Sequence, residues 1–439
     1  MGLFSFIYNV IYMTVVSFLV LVVVLPYLPD QLFPDFPLNP AKYESPKSDQ
    51  FFTKVKWNTL ISDKAKRIGE NTIIGPESMV MKGDSLFTGL ADGRLVEINK
   101  NNVNQIKTLT RFHAKGSQCG DNKDNNATLC GRPLGLKFSQ DGNLYFVEAT
   151  KGLHVVTFEP SVKVKHVALG PDGKGPNKIT GVFNDIALDP NNPDLVYVSV
   201  STTKWSMDRI VWSLVDMNKD GLVVAVNVRT GKHHIIMDDL AFTNGMEISP
   251  NKRSLLVAEF GGRKIYKIDL ADIDASIKSG KPVKNRPTLI DNLPGGPDNI
   301  RAFGNDLYIS MPVVSLSSTI HDRLSTMSAI RKSLGRLTNL ASRGLVQLDR
   351  LMKMAGYDKC HCTLEMARYL DTGYIIHKVM PSDAGILIID GNTGKIRRIL
   401  GSSGYPSISE ALLDVSNGDL YLGSYRNAYL GKISGSDLK

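Results

Sequence analysis

Over most of the chain apolar and polar positions alternate with a period of two, broken at short intervals by Gly, Asn and Asp. That alternation is the mark of half-buried antiparallel strands joined by tight turns. One phrase recurs six times: a short apolar strand, a polar turn, Asp or Asn before a strand such as LYF, then another turn and a third strand. The copies begin at Gly75, Arg132, Phe183, Thr243, Pro297 and Ser407. Units spaced roughly 50 to 60 residues apart predict the blades of a six-bladed β-propeller, an all-β architecture in which radial repetition protects strand edges. A large β-sandwich is the competing all-β reading, but it gives no reason for six copies of one phrase.

Two stretches depart from the period of two. The fifth copy is interrupted over about residues 313–380 before AGILIIDGNTGKIRRIL resumes. Within that insertion Leu324, Met327, Ile330, Leu334, Leu337 and Leu340 recur at three- and four-residue steps, followed by Leu345, Leu348, Leu351 and Met352. This is helical spacing. The other side is basic, with Arg323, Arg331, Lys332, Arg336, Arg343, Arg350 and Lys353. Either the helix is a lid that packs its apolar side on the propeller, or it is an interfacial helix lying on anionic lipid.

At the N-terminus no side chain from Met1 to Pro29 is charged, and Phe6 to Leu25 is almost wholly apolar. About 20 such residues span a hydrocarbon core. A cleaved signal peptide is the alternative, but there is no positive n-region and no A-x-A-like site. The first flanking side chains, Asp30 and Asp35, are acidic, which favours an inside N-terminus. The expected organisation is a transmembrane signal-anchor (1–29), a Pro-rich linker and lead-in (30–60) and a propeller (61–439). The expected topology is that of a single-pass type II membrane protein whose C-terminal part is lumenal or extracellular.

Composition changes this picture little. The net charge of +9 comes with no Lys/Arg run and no nucleic-acid motif, so nucleic acid is not an expected partner. Four cysteines are present. Cys119 and Cys130 bracket a polar loop that a disulfide would close, and the loop carries a glycosylation sequon at Asn126. A zinc site joining them to Cys360 and Cys362 lacks the usual C-x2-C spacing; separate thiols or a second bridge fit better.

The candidate chemistry lies at one recurring place. Near the start of the first strand of four copies stand Glu77, Asn184, Asn244 and Asp298, with Asn299 beside the last. In a propeller the first strand lines the central channel, so these residues converge. Five oxygen-bearing side chains, two of them anionic, suit a hard divalent cation such as calcium. As pairs they are also ordinary turn residues. Asp216–Gly221 matches half of an EF-hand loop, but Asn227 stands where Glu is required, so a hairpin turn is expected there.

GPES, CGRPLGL, FNDIALDP, TNGMEISP, LVAE and GGPDNIR, in this order, resemble the adipocyte plasma membrane-associated protein family, also called strictosidine-synthase-like. The likeness runs over nearly the whole chain. It implies kinship with paraoxonases and gluconolactonases, six-bladed propellers that bind calcium on the central axis. It also implies that Glu77, Asn184, Asn244, Asp298 and Asn299 are the ligands of the catalytic-type calcium. Ser78 replaces the acid that a second, structural calcium uses in paraoxonases, although Asp185 is retained. The paraoxonase histidine dyad has no counterpart near Leu134 or Glu148. The glutamate used by plant strictosidine synthase is missing from LYISMPVVSLSS, so Pictet–Spengler condensation is not expected. The expected function is a weak, membrane-anchored, calcium-dependent hydrolase of aryl esters or lactones. The alternative is a non-catalytic propeller that binds partners at a membrane.

Overall fold

The computed structural model describes residues 2–438, apart from 47, 114–118, 120–126, 174–177, 318, 358–361 and 379. The sequon at Asn126 and Cys360 lie outside the described residues. The chain forms two compact units. One comprises Pro46–Asp208, Lys219–Ser318 and Pro381–Lys439; the other comprises Met1–Ser45, Arg209–Asn218 and Thr319–Met380.

The larger unit is all β: six antiparallel four-stranded sheets. Their first strands are β1 (Met79–Lys82), β2 (Pro133–Phe138), β3 (Phe183–Leu188), β4 (Thr243–Ile248), β5 (Ile300–Phe303) and β6 (Ile408–Leu413). Each touches the next, and β6 touches β1, so the ring closes as a six-bladed propeller. Five sheets are built from consecutive segments. The sixth takes its outermost strand, Lys66–Ile68, from the start of the unit and pairs it with Leu430–Ile433. The alternation read from the sequence is the burial of sheet faces between blades. Tyr197, Val223 and Ala225 of the third sheet pack with Leu255, Val257 and Ile268 of the fourth, and similar clusters join the fourth and fifth, fifth and sixth, sixth and first, and first and second sheets. Each such side chain, when fully buried, contributes about 1.5–3 kcal/mol.

Four of the six first strands share an irregularity. The ladder slips between Pro133 and Leu136, Phe183 and Ile186, Thr243 and Met246, and Ile408 and Glu410. Each slip is a β-bulge, which puts an extra residue on the inner strand and re-aims its side chains. The third residues of these strands are Gly135, Asp185, Gly245 and Glu410. The glycines are needed for space. A Cβ on Gly135 would lie 2.2 Å from Asp185 Oδ1, and one on Gly245 would lie 2.3 Å from the Asp298 carbonyl oxygen. Glycine in one blade thus admits the polar residues of the next.

Cys119 and Cys130 form the expected disulfide, with Cα atoms 5.6 Å apart. Cys362 is also disulfide-bonded, which removes the thiolates that a zinc site would need. Asp216–Gly221 is not a hairpin turn. It is the C-terminal end of a helix, Val211–Asp216, closed by left-handed Met217 and followed by a strand. Asp220 accepts hydrogen bonds from Thr202 Oγ1 and from the Thr203 and Lys204 amides, so its carboxylate is committed to the backbone.

The smaller unit is helical. It contains α1 (Gly2–Val24), α2 (Val211–Asp216), α3 (Ser328–Met354) and α4 (Cys362–Asp371). α1 carries no charged side chain. Among the described residues, however, no helix is long and apolar enough to cross a membrane. The transmembrane segment read from the sequence therefore has no support here. α3 forms where helical spacing was read, but its apolar side is not the buried one. The buried side holds Arg331, Ser333, Gly335, Arg336, Asn339 and Ser342, while Ile330, Leu334 and Leu348 are exposed.

Gly245→Ala should lower the free energy of unfolding by about 1–3 kcal/mol, the usual cost of overpacking. Gly344→Ala, on α3 with nothing within 4 Å of the added methyl, should leave it unchanged or slightly raised. Urea unfolding midpoints of the two variants and the parent decide the point.

Candidate metal centre at the hub

All five sequence-derived ligands lie at the hub end of the first strands and are buried. Asn184 and Asn244 are the second residues of β3 and β4, inside their bulges; Glu77 precedes β1, and Asp298 and Asn299 precede β5. Side-chain and backbone hydrogen bonds hold the cluster together. The Asn299 side-chain Nδ2 donates to Glu77 Oε1 at 3.0 Å and to the Glu77 carbonyl at 3.2 Å. Ser409 Oγ donates to the same carbonyl at 2.9 Å. The Asp298 N–H donates to the Ser310 carbonyl at 2.7 Å, and the Asn244 side chain hydrogen-bonds the Asp298 carboxylate.

What these contacts leave over is the informative part. Glu77 Oε2, Asn184 Oδ1, Asn244 Oδ1 and Asn299 Oδ1 are buried without any hydrogen-bond partner. Unpaired buried acceptors each cost on the order of 1–3 kcal/mol, and native proteins rarely leave four together. Every one is an oxygen acceptor, the donor type that calcium takes. Electrostatics point the same way. Burial raises the Glu77 carboxyl to about 8, with Asp185 and Glu410 adding to the rise against Arg132. Burial, with Glu77 and Glu410, also pushes Asp298 well above the usual carboxylate range. A dication would reverse both shifts. The residues therefore fit an oxygen-ligated cation, with Glu77 and Asp298 supplying charge and the three amides supplying neutral oxygens. Among the described residues no three His, Cys, Asp or Glu side chains form a metal-holding group, as expected of a set dominated by amides.

A second buried group stands beside this cluster, and sequence reasoning missed it. Arg301 on β5 is buried and holds Asp185 Oδ2 at 3.2 Å, Glu410 Oε2 at 2.5 Å and Ser78 Oγ at 2.8 Å. Burial opposes its charge, but Glu410, Asp185 and Glu247 hold it protonated, above its ordinary range. The retained Asp185 is thus already neutralised by a guanidinium, and Ser78 serves that guanidinium. A second cation at this place would meet a fixed positive charge. The overlooked signal was positional: Glu410 is the third residue of its inner strand, as Asp185 is of its own.

Glu148 and Glu259, at comparable points on strands of their blades, are the candidate general bases by position, but both are spent elsewhere. Glu148 accepts from the Arg132, Thr150 and Lys151 amides at 2.6–2.9 Å. Glu259 accepts from the Ala241 amide at 2.7 Å and pairs with Lys264 at 3.3 Å. Both close turns at the ends of second strands.

Cation binding at this hub should displace protons, because burial pushes the Glu77 carboxyl up to about 8. Calcium affinity should therefore rise on the order of tenfold per pH unit per displaced proton as pH increases toward 8, then level off. Glu77→Gln or Asp298→Asn should abolish binding. Calorimetric titration with calcium across pH, in buffers of different ionisation enthalpy, measures both the affinity and the proton release.

Known proteins place this hub in a family. The strictosidine synthase family profile matches residues 184–271, and the N-terminal strictosidine synthase-like profile matches 63–98. The rat adipocyte plasma membrane-associated protein is 31% identical over 294 residues, 66% of this chain and 73% of that protein. The bovine protein is 26% identical over 412 residues, 93% and 87% of the two chains. A luciferin-regenerating enzyme superposes with a TM-score of 0.50 at 9% identity, covering 84% of this chain and 95% of its own, a likeness of fold. The chain belongs to the adipocyte plasma membrane-associated protein family.

Proposed function

We propose that this chain is a membrane-associated, calcium-dependent hydrolase of esters or lactones, with its hub as the active centre. The observation that carries the reading is the set of four partnerless buried oxygens together with two carboxyls raised by burial. When bound, calcium would polarise a substrate carbonyl and favour the developing oxyanion. Glu77 and Asp298 would hold the charge of the site, and Asn184, Asn244 and Asn299 would fix its geometry. Arg301 would act as a positioning residue, keeping Asp185 and Glu410 in place. The disulfide between Cys119 and Cys130 favours a lumenal or extracellular location, and the uncharged helix α1 is the candidate attachment to the bilayer, in a type II orientation.

A second reading has one observation in its favour. With Glu148 and Glu259 committed to turn amides, neither glutamate considered as a base is available to activate water. That favours a propeller that binds a partner and uses calcium for rigidity alone.

The detergent-solubilised full-length protein should hydrolyse aryl esters or lactones only when calcium is present. Removal of calcium should abolish turnover and its return should restore it. Asp298→Asn should cost ~100-fold or more in kcat/KM, the scale for losing a charge-stabilising group. A folded, calcium-loaded protein with no turnover above buffer on either substrate class would leave the binding reading in possession.

A further inference from the structure

α3 is amphipathic with its faces reversed. Its buried side is polar or small: Arg331, Ser333, Gly335, Arg336, Asn339 and Ser342. Its exposed side carries Met327, Ile330, Leu334, Leu348, Leu351 and Met354, exposed by 39–84%. A helix of a water-soluble domain buries the apolar stripe instead. The reversal is held in place within the helical unit. Ser333 Oγ donates to the Val22 carbonyl. Arg336 donates to the Leu25 and Leu28 carbonyls, each at 2.7 Å, and pairs with Asp30. Arg343 donates to the Leu32 carbonyl at 2.8 Å. These carbonyls belong to the end of α1 and the turn after it, which a helix terminus leaves without intrahelical partners. α3 is therefore fastened by its polar face to the exit of the apolar helix, and its leucines point to solvent.

We infer that the exposed stripe of α3 lies in the interfacial layer of a lipid bilayer with anionic headgroups, as a second contact beside α1. Three observations select lipid as the occupant. The stripe belongs to the helix fastened to the end of α1, whose Leu19, Val20 and Val23 are exposed as well. α3 carries six basic residues and one acidic residue, Asp349, which Lys353 neutralises at 3.0 Å. Such a basic flank suits anionic headgroups. Exposed tyrosines, Tyr27, Tyr357 and Tyr374, have the amphipathic rings that settle at headgroup depth. The inference rests on the membrane association proposed above for its choice of occupant, and it is independent of catalysis.

The test uses full-length protein reconstituted in vesicles of phosphatidylcholine with phosphatidylserine. Free cysteines are absent among the described residues, so an environment-sensitive fluorophore can be placed at single introduced thiols. Leu334→Cys and Leu348→Cys sample the stripe, Gln347→Cys samples another side of the same helix, and Tyr12→Cys samples α1. Brominated acyl chains should quench the labels at 334, 348 and 12 several-fold and spare the label at 347. Quenching at 12 with water-exposed labels at 334 and 348 would overturn the inference and leave the α1 attachment standing. Labels at 334 and 348 that are shielded from water yet untouched by bromine would also overturn it, in favour of a protein occupant such as a second copy. No quenching at any position, including 12, would remove the membrane reading itself and this inference with it.

Discussion

Six sheets meeting around one axis bring their first strands closer than ordinary side chains allow, and this crowding governs the rest of the propeller. It is relieved by bulges in the inner strands and by glycine where the next blade intrudes, at Gly135 against Asp185 and Gly245 against Asp298. The same crowding keeps water from the polar groups gathered at the hub. Oxygens of Glu77, Asn184, Asn244 and Asn299 end without hydrogen-bond partners as a direct result. The strain of packing and the affinity for a cation have one origin: a fold that forces acceptors together and gives them nothing to accept from.

Arg301 shows how such a hub manages surplus negative charge. Glu77, Asp185, Asp298 and Glu410 are all buried. A dication at Glu77 and Asp298 would satisfy one pair, and the guanidinium satisfies the other, with Ser78 as its third partner. A covalent cation cannot be chelated away or exchanged. Replacing it by a shorter or neutral side chain would leave two buried carboxylates uncompensated, the most destabilising form of a broken buried pair.

The fold was largely legible because alternation and turn residues respond to the burial of sheet faces, which recurs in each blade. The five candidate ligands were legible because they recur at one point of the repeated phrase. Lys66–Ile68 was not: three residues at a sheet edge, two of them exposed, carry almost no pattern. Arg301 was missed because an arginine in NIRAF reads as a solvated side chain until the strand is known to be an inner one. α3 exposes a deeper limit. Helical spacing reveals that two faces differ, but the period is identical whether the apolar face meets a core or the surroundings. Only the contacts of Ser333 and Arg336 with the chain after α1 settle which side is inward.

The sixth sheet joins the two ends of the propeller, with Lys66–Ile68 against Leu430–Ile433. During synthesis the first of these strands leaves the ribosome long before the second. Until the sixth sheet is made, the ring stands open and the hub lacks Ser409 and Glu410. Glu77 must wait through most of the chain for the partners that position it. A polypeptide released a few residues short of Leu430 would keep five complete blades, yet it would present two unsealed strand edges, the kind of surface that recruits chaperones or aggregates. Quality control can therefore read closure of the propeller from a single seam.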